Sequence, residues 1–85
     1  RACMITVEIL IPAMDISCDF SLDEDAQISA LIEEAAALVC LRERWPIPKH
    51  TEHLELYDKE HSRKLERSSS LYESGVQPGQ QLILC

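Results

Sequence analysis

Residues 2–41 contain no lysine and no arginine, but they carry eight acids: Glu8, Asp15, Asp19, Asp23, Glu24, Asp25, Glu33 and Glu34. Nucleic-acid backbones are bound through clustered cations, so this half of the chain repels them. Residues 42–85 hold seven basic side chains and seven acidic ones, and the net charge is −7. A partner with a basic surface is attracted; a solvated face that aids solubility is the competing reading. Long apolar runs are also missing. None approaches the roughly 20 residues of a membrane-spanning helix, so no direct membrane insertion is expected. A basic-then-apolar leader is likewise not seen at the start. The four cysteines, at 3, 18, 40 and 85, never fall in C-x-x-C spacing. This argues against a zinc ribbon or a thioredoxin-like site. Cys18 and Cys40 sit in apolar patterns, where a thiol behaves as a small hydrophobe. All four read as reduced, which points to a cytoplasmic location.

Catalytic signatures are absent as well. There is no P-loop, no glycine-rich dinucleotide motif and no Ser-His-Asp arrangement. His50 and His53 fall in extended or loop segments, not on one helical face, so they do not specify a metal site. No catalytic residue, cofactor or metal is expected. The length, 85 residues, is that of one domain, 1–85. Such a chain buries about two-thirds of its unfolded surface, enough for one core but hardly for a deep enclosed active site as well.

What is present is periodicity. Ile5, Val7, Ile9 and Ile11 alternate, as on a strand with one buried face. Pro12 ends that run and Ala13-Met14-Asp15 turn it. Ile16, Cys18, Phe20 and Leu22 alternate again, so the two runs read as an antiparallel hairpin. The period then changes. Ile28, Leu31, Ile32, Ala35, Leu38 and Val39 recur at helical spacing, with Asp23 or Asp25 as the expected N-cap. Arg42 and Arg44 suit the C-terminal end of the helix dipole. Trp45-Pro46-Ile47-Pro48 stops the helix, with Trp45 expected to close the end of the core. His53 to Tyr57 alternates, with Leu54 and Leu56 inward. Asp58 to Lys64 reads as a charged turn, and the cations Lys59, Arg63, Lys64 and Arg67 are expected to pair with Asp58, Glu60 and Glu66 among them. Leu65 opens a short strand, Ser68-Ser69-Ser70 form a polar loop, and Leu71-Tyr72-Glu73 make one helical turn. Gly75 and Gly79 stand where turns need positive φ. Leu82, Ile83 and Leu84 form the last strand. The order is ββαβ(β)β, which predicts an α+β fold with a mixed sheet on one long helix.

This order resembles ubiquitin. Ile47-Pro48 leads to Leu54 after seven residues; Leu65 to Leu71 is six, Leu71 to Val76 five, Val76 to Leu82 six, and Leu84 is two further on. Each interval is the one ubiquitin uses, and the resemblance covers residues 4–85. It implies a ubiquitin-like β-grasp fold. Within that superfamily the chain is most similar to the YukD/EsaB-like proteins of type VII secretion systems. The matching elements are Ile5-Thr6-Val7, Gly75-Val76-Gln77-Pro78-Gly79 and Leu82-Ile83-Leu84. This similarity implies an accessory or adaptor component that binds other proteins.

Ubiquitin's principal binding face, carried across by position, falls on Glu55, Ile83 and Cys85, with Tyr57 beside them. Glu55 stands where ubiquitin has an aliphatic residue. Burying an unpaired carboxylate is costly, so receptors of ubiquitin's patch should reject this surface, while Tyr57 and Ile83 can anchor another partner. Ordinary surface residues are the competing reading. A ubiquitin-like modifier or sulfur carrier needs a flexible tail ending in Gly-Gly, and the chain has no such pair, so those roles require a longer C-terminus. An interaction module of the UBX or Ras-binding type is the other alternative, and the acidic first half opposes the Ras-binding version.

Overall fold

The alternation of β-branched residues in the first eleven positions becomes β1, Met4–Ile11, with Ile5, Val7, Ile9 and Ile11 buried. The computed structural model describes residues 3–85; Arg1 and Ala2, the first two residues of the expected domain, lie outside them. Pro12 to Met14 form a single 3₁₀ turn. Asp15 follows in the left-handed region at φ 53°, and its N–H donates to the Pro12 carbonyl at 3.1 Å. Aspartate is one of the few side chains that tolerates this conformation. The chain then returns as β2, Ile16–Asp23, paired with β1 without a slip from Met4 opposite Asp23 to Ile11 opposite Ile16.

Helix α1 spans Ile28–Arg42, 15 residues, or about 22 Å at 1.5 Å per residue. It is therefore of ordinary length, not the long helix expected. Its buried stripe is Ile28, Leu31, Ile32, Ala35, Ala36, Val39 and Cys40. Leu38, expected inside, is 46% exposed, because the stripe drifts toward Ala36 and Cys40 and turns position 38 outward. The N-terminus also differs from expectation. Neither Asp23 nor Asp25 caps it; Asp23 Oδ1 accepts the Asp25 N–H at 2.9 Å in a local turn. Gln27 is the N-cap and offers no side-chain bond. The first amides of the helix are satisfied instead by backbone carbonyls from a later loop: Ile28 N–H donates to Ser69 at 2.8 Å and Ser29 N–H to Arg67 at 3.0 Å. At the other end Arg44 takes a positive φ of 60° and Trp45 N–H donates to the Cys40 carbonyl at 2.8 Å. This left-handed residue swings Trp45 outward. The tryptophan is 55% exposed and borders an open apolar cleft with Met14, Ala36 and Leu54, so it does not close the core.

The second half is built of short pieces. The strand expected from His53 begins at Leu56: β3 is Leu56–Asp58. Leu56 is fully buried, whereas Leu54 only packs partly against the core. The strand expected to open at Leu65 is β4, Arg63–Lys64; Leu65 follows it, buried, and donates its N–H to the Leu56 carbonyl at 2.9 Å. Residues 70–76 make one hydrogen-bonded turn, with Ser74 N–H on the Ser70 carbonyl at 3.0 Å. Gly75 and Gly79 take φ of 76° and 83°, as their turns require. The chain closes with β5, Gln81–Leu84.

The sheet order is β2-β1-β5-β3-β4, with β1 and β5 parallel and every other pair antiparallel. Its inner face and α1 share one core, in which Leu31 of the helix and Leu82 of β5 both take part. The architecture is α+β with a mixed sheet on one helix.

Candidate functional site

The core occupies one face of the sheet, so alternate residues must face water. In β5 the aliphatic triplet Leu82-Ile83-Leu84 buries its outer members and leaves Ile83 half-exposed on the far side. Backbone pairing places Ile83 opposite Tyr57 of β3. Glu55 and Cys85 extend the same ladder, exchanging backbone hydrogen bonds of 2.7 and 3.1 Å. The four residues expected to form a binding face, Glu55, Tyr57, Ile83 and Cys85, are therefore two adjacent cross-strand pairs on one surface.

A neighbour of these residues was not anticipated. Leu10 of β1 lies opposite Ile83 on its other side, and it too is half-exposed. Leu10, Ile83 and Tyr57 form an apolar row across three strands. The signal was in the sequence: Ile9-Leu10-Ile11 is a second aliphatic triplet, whose middle residue must face away from the core.

Polar groups frame this row. On one side Gln81 Nε2 donates to Glu8 Oε1 at 2.6 Å, and Lys59 Nζ donates to Gln81 Oε1 at 3.3 Å. On the other side stand Glu55 and Cys85. A shallow recess of about 380 Å³ lies between Tyr57, Ile83 and Cys85 and the hairpin residues Ser62 and Arg63.

The hairpin is held by a buried carboxylate. Asp58 is inaccessible to solvent. Its Oδ1 accepts from Gln80 Nε2 at 2.6 Å and from the His61 backbone N–H at 3.2 Å. Its Oδ2 accepts from His61 Nδ1 at 2.7 Å and from Arg63 Nε at 3.3 Å. Burial pushes the Asp58 carboxyl up, but the hydrogen bonds from His61 and Gln80 outweigh it and hold it below its ordinary range. Of the internal pairing expected of this charged segment, Arg63 meets Asp58, whereas Lys59 donates to Gln81 rather than to an acid. Arg63 also donates to the Ser74 carbonyl, and Arg67 to the Leu54 carbonyl. These contacts fix the hairpin that forms one wall of the recess.

Among the described residues no group of three or more His, Cys, Asp and Glu side chains converges to hold a metal, and no helix is long and apolar enough to cross a membrane. His50 Nδ1 lies 3.4 Å from Glu52 Oε1 at the surface.

No family model matches the sequence, and neither does any curated protein. Solved structures do match. The EccD5 ubiquitin-like domain from Mycobacterium xenopi superposes with a TM-score of 0.72 at 20% identity, covering 98% of this chain and 93% of that one. The ubiquitin-like domain of the Mycobacterium tuberculosis type VII secretion system protein ECCD1 gives 0.72 at 20% identity, covering 96% and 97%. The N-terminal ubiquitin-like domain of the 4931431F19Rik protein gives 0.74 at 14%, covering 100% and 76%. The chain has the ubiquitin-like β-grasp fold.

Proposed function

We propose that the chain is a non-catalytic, cytoplasmic protein-interaction domain that serves as an accessory component of a type VII-like secretion system. The observation that carries the reading is the apolar row Leu10–Ile83–Tyr57 on the open face of the sheet. Such a row with an aromatic member suits a protein anchor. The likeness to the EccD domains supports the setting. Glu55, beside the row, sets this face apart from an aliphatic ubiquitin patch. The excess of acids in residues 2–41 favours a partner with a basic surface.

The test is retrieval of partners from cells that hold a type VII apparatus, with the wild-type chain and the Leu10→Asp, Tyr57→Ala and Ile83→Asp variants in parallel. The expected partner is a component of the apparatus with a basic surface, and each variant should weaken its binding about tenfold or more, as loss of an interface anchor does. Circular dichroism confirms that each variant remains folded. Equal retrieval by all four chains would remove the sheet face from the proposal. Retrieval of an unrelated set of proteins would remove the secretion setting.

A further inference from the structure

We infer that the exposed segment at the end of α1, residues 41–50, rests on the surface of a membrane rich in anionic lipid, with Trp45 and Ile47 among the headgroups and Arg42, Arg44 and Lys49 at the lipid phosphates. The inference is independent of the Leu10–Ile83–Tyr57 row and of any partner bound there. No spanning helix is involved; the contact is peripheral.

Large apolar side chains left singly in water need no explanation, but a cluster does. Six are exposed among the described residues, and four of them, Leu38, Leu41, Trp45 and Ile47, fall within ten positions. Trp45 is the single tryptophan of the chain, and both it and Ile47 are more than half exposed. The backbone holds them out. The left-handed Arg44 turns Trp45 away from the core, and Pro46 and Pro48 fix φ on either side of Ile47. So stiff a display loses little further entropy when a surface immobilises it. Behind Trp45 the open apolar cleft, about 320 Å³ and lined also by Pro48, Met14 and Leu54, extends the same surface.

Charge selects the occupant. Residues 41–50 carry Arg42, Arg44 and Lys49 against one acid, Glu43, a net of +2 in a chain of net −7. Glu43 lies 3.9 Å from Arg42, and the next acid along the chain, Glu52, faces His50. Cations elsewhere are committed: Arg63 to Asp58, Arg67 to the Leu54 carbonyl and Lys59 to Gln81. Among the described residues no side-chain hydrogen bond or ion pair engages Arg44 or Lys49. Asp19 shares a groove with Leu38, Leu41 and Arg42 and bounds the contact on that side. Acids on the rest of the molecule, which is 31 Å long, are largely screened beyond about 8 Å at physiological salt. Aromatic and aliphatic residues interleaved with arginine and lysine match a bilayer interface, where the ring sits at headgroup level and the cations meet anionic lipid. Nucleic acid fits less well. It is held by stacking on aromatic faces, which Leu41 and Ile47 do not have.

The test uses the whole chain and vesicles of equimolar phosphatidylcholine and phosphatidylglycerol, with pure phosphatidylcholine as the reference. Trp45 reports on itself. Its emission should shift to the blue and become shielded from acrylamide on the mixed vesicles, and should do neither on the neutral ones. Raising the salt to about 1 M, where the screening length is about 3 Å, should weaken binding. In co-sedimentation, Arg44→Glu and Lys49→Glu should each weaken binding about tenfold, and Trp45→Ala and Ile47→Ser should weaken it as well. Tyr57→Ala, on the sheet face, should leave vesicle binding unchanged while it loses the protein partner, so the two readings fail separately. The inference is overturned if Trp45 emission is the same with and without the mixed vesicles, or if neutral vesicles bind equally. It is also overturned if a single-stranded oligonucleotide shifts the emission as far and displaces the vesicles, or if Tyr57→Ala abolishes vesicle binding.

Discussion

Ile32 and Asp58 are equally inaccessible to water, yet their surroundings make opposite demands. Ile32 sits among aliphatic side chains of β1, β2 and β5. Burial of apolar surface is non-directional, so any sequence that keeps the helical period delivers Ile32 to that interior. Asp58 needs donors at fixed positions: His61 three residues on, Arg63 five on, and Gln80 on the far side of the glycine turn. No period places those groups. The first half of the chain is held by a pattern, the second by individual contacts.

The largest test of this contrast is Ile32→Ala. A fully buried aliphatic truncated to alanine costs about 2–5 kcal/mol, and chemical denaturation should show a similar loss at every pH. Next comes Asp58→Ala. It leaves the amide of Gln80, itself buried, without its acceptor. The expected cost is about 2 kcal/mol, that of a buried polar group left unsatisfied. The two regions part most clearly with pH. Asp58 has a folded pKa below its ordinary value of 3.8. Its ionised form therefore contributes stability that is fully present above that value and is lost as pH falls through the lower, folded one. Denaturation of the wild type between pH 6 and 2 should show a decline below about pH 4 that is smaller in Asp58→Asn and undiminished in Ile32→Ala. Identical pH profiles for wild type and Asp58→Asn would erase the distinction between the regions.

The same contrast decides what the sequence made legible. The hairpin, the helix and the register of the aliphatic runs follow from periods of 2 and 3.6; Ile83 and Tyr57 are named by carrying ubiquitin's face across by position, and the pairing of β3 with β5 sets them opposite each other. Leu10 was missed although the same alternation exposes it. Three failures share one cause. The cap of α1 comes from the carbonyls of Arg67 and Ser69, about forty residues away, so a search for a local Asp cap could not find it. Trp45 was judged by its size, but its direction is set by the left-handed Arg44 before it. The role of Asp58 depends on Gln80, which no spacing rule connects to it.

Smaller effects probe the turns of the second half. Gly79 has φ of 83°, and a Cβ added there would meet nothing within 4 Å. The whole cost of Gly79→Ala is then conformational, about 1–2 kcal/mol for a left-handed alanine. Replacement by D-alanine, which favours positive φ, should leave stability intact or raise it. If L- and D-alanine cost the same, the constraint at this turn is not its φ.

The smallest expected effect lies at Ser70, in a stretch that composition alone marks as a polar loop. Ser70-Leu71-Tyr72-Glu73 forms a reciprocal capping box: Glu73 N–H donates to Ser70 Oγ at 3.0 Å, and Ser70 N–H donates to Glu73 Oε1 at 3.0 Å. The S-x-x-E spacing was the available signal. Loss of such a cap costs about 1 kcal/mol, so Ser70→Ala should lower the melting temperature by roughly 4–8 °C for a domain of this size. The turn also carries Tyr72, whose N–H donates to the Glu24 carbonyl at 2.9 Å, and it continues the loop whose carbonyls cap α1. Faster amide exchange at Ile28 and Ser29 in Ser70→Ala would show that this local box helps to hold the remote cap. Unchanged exchange there would confine the box to its own turn.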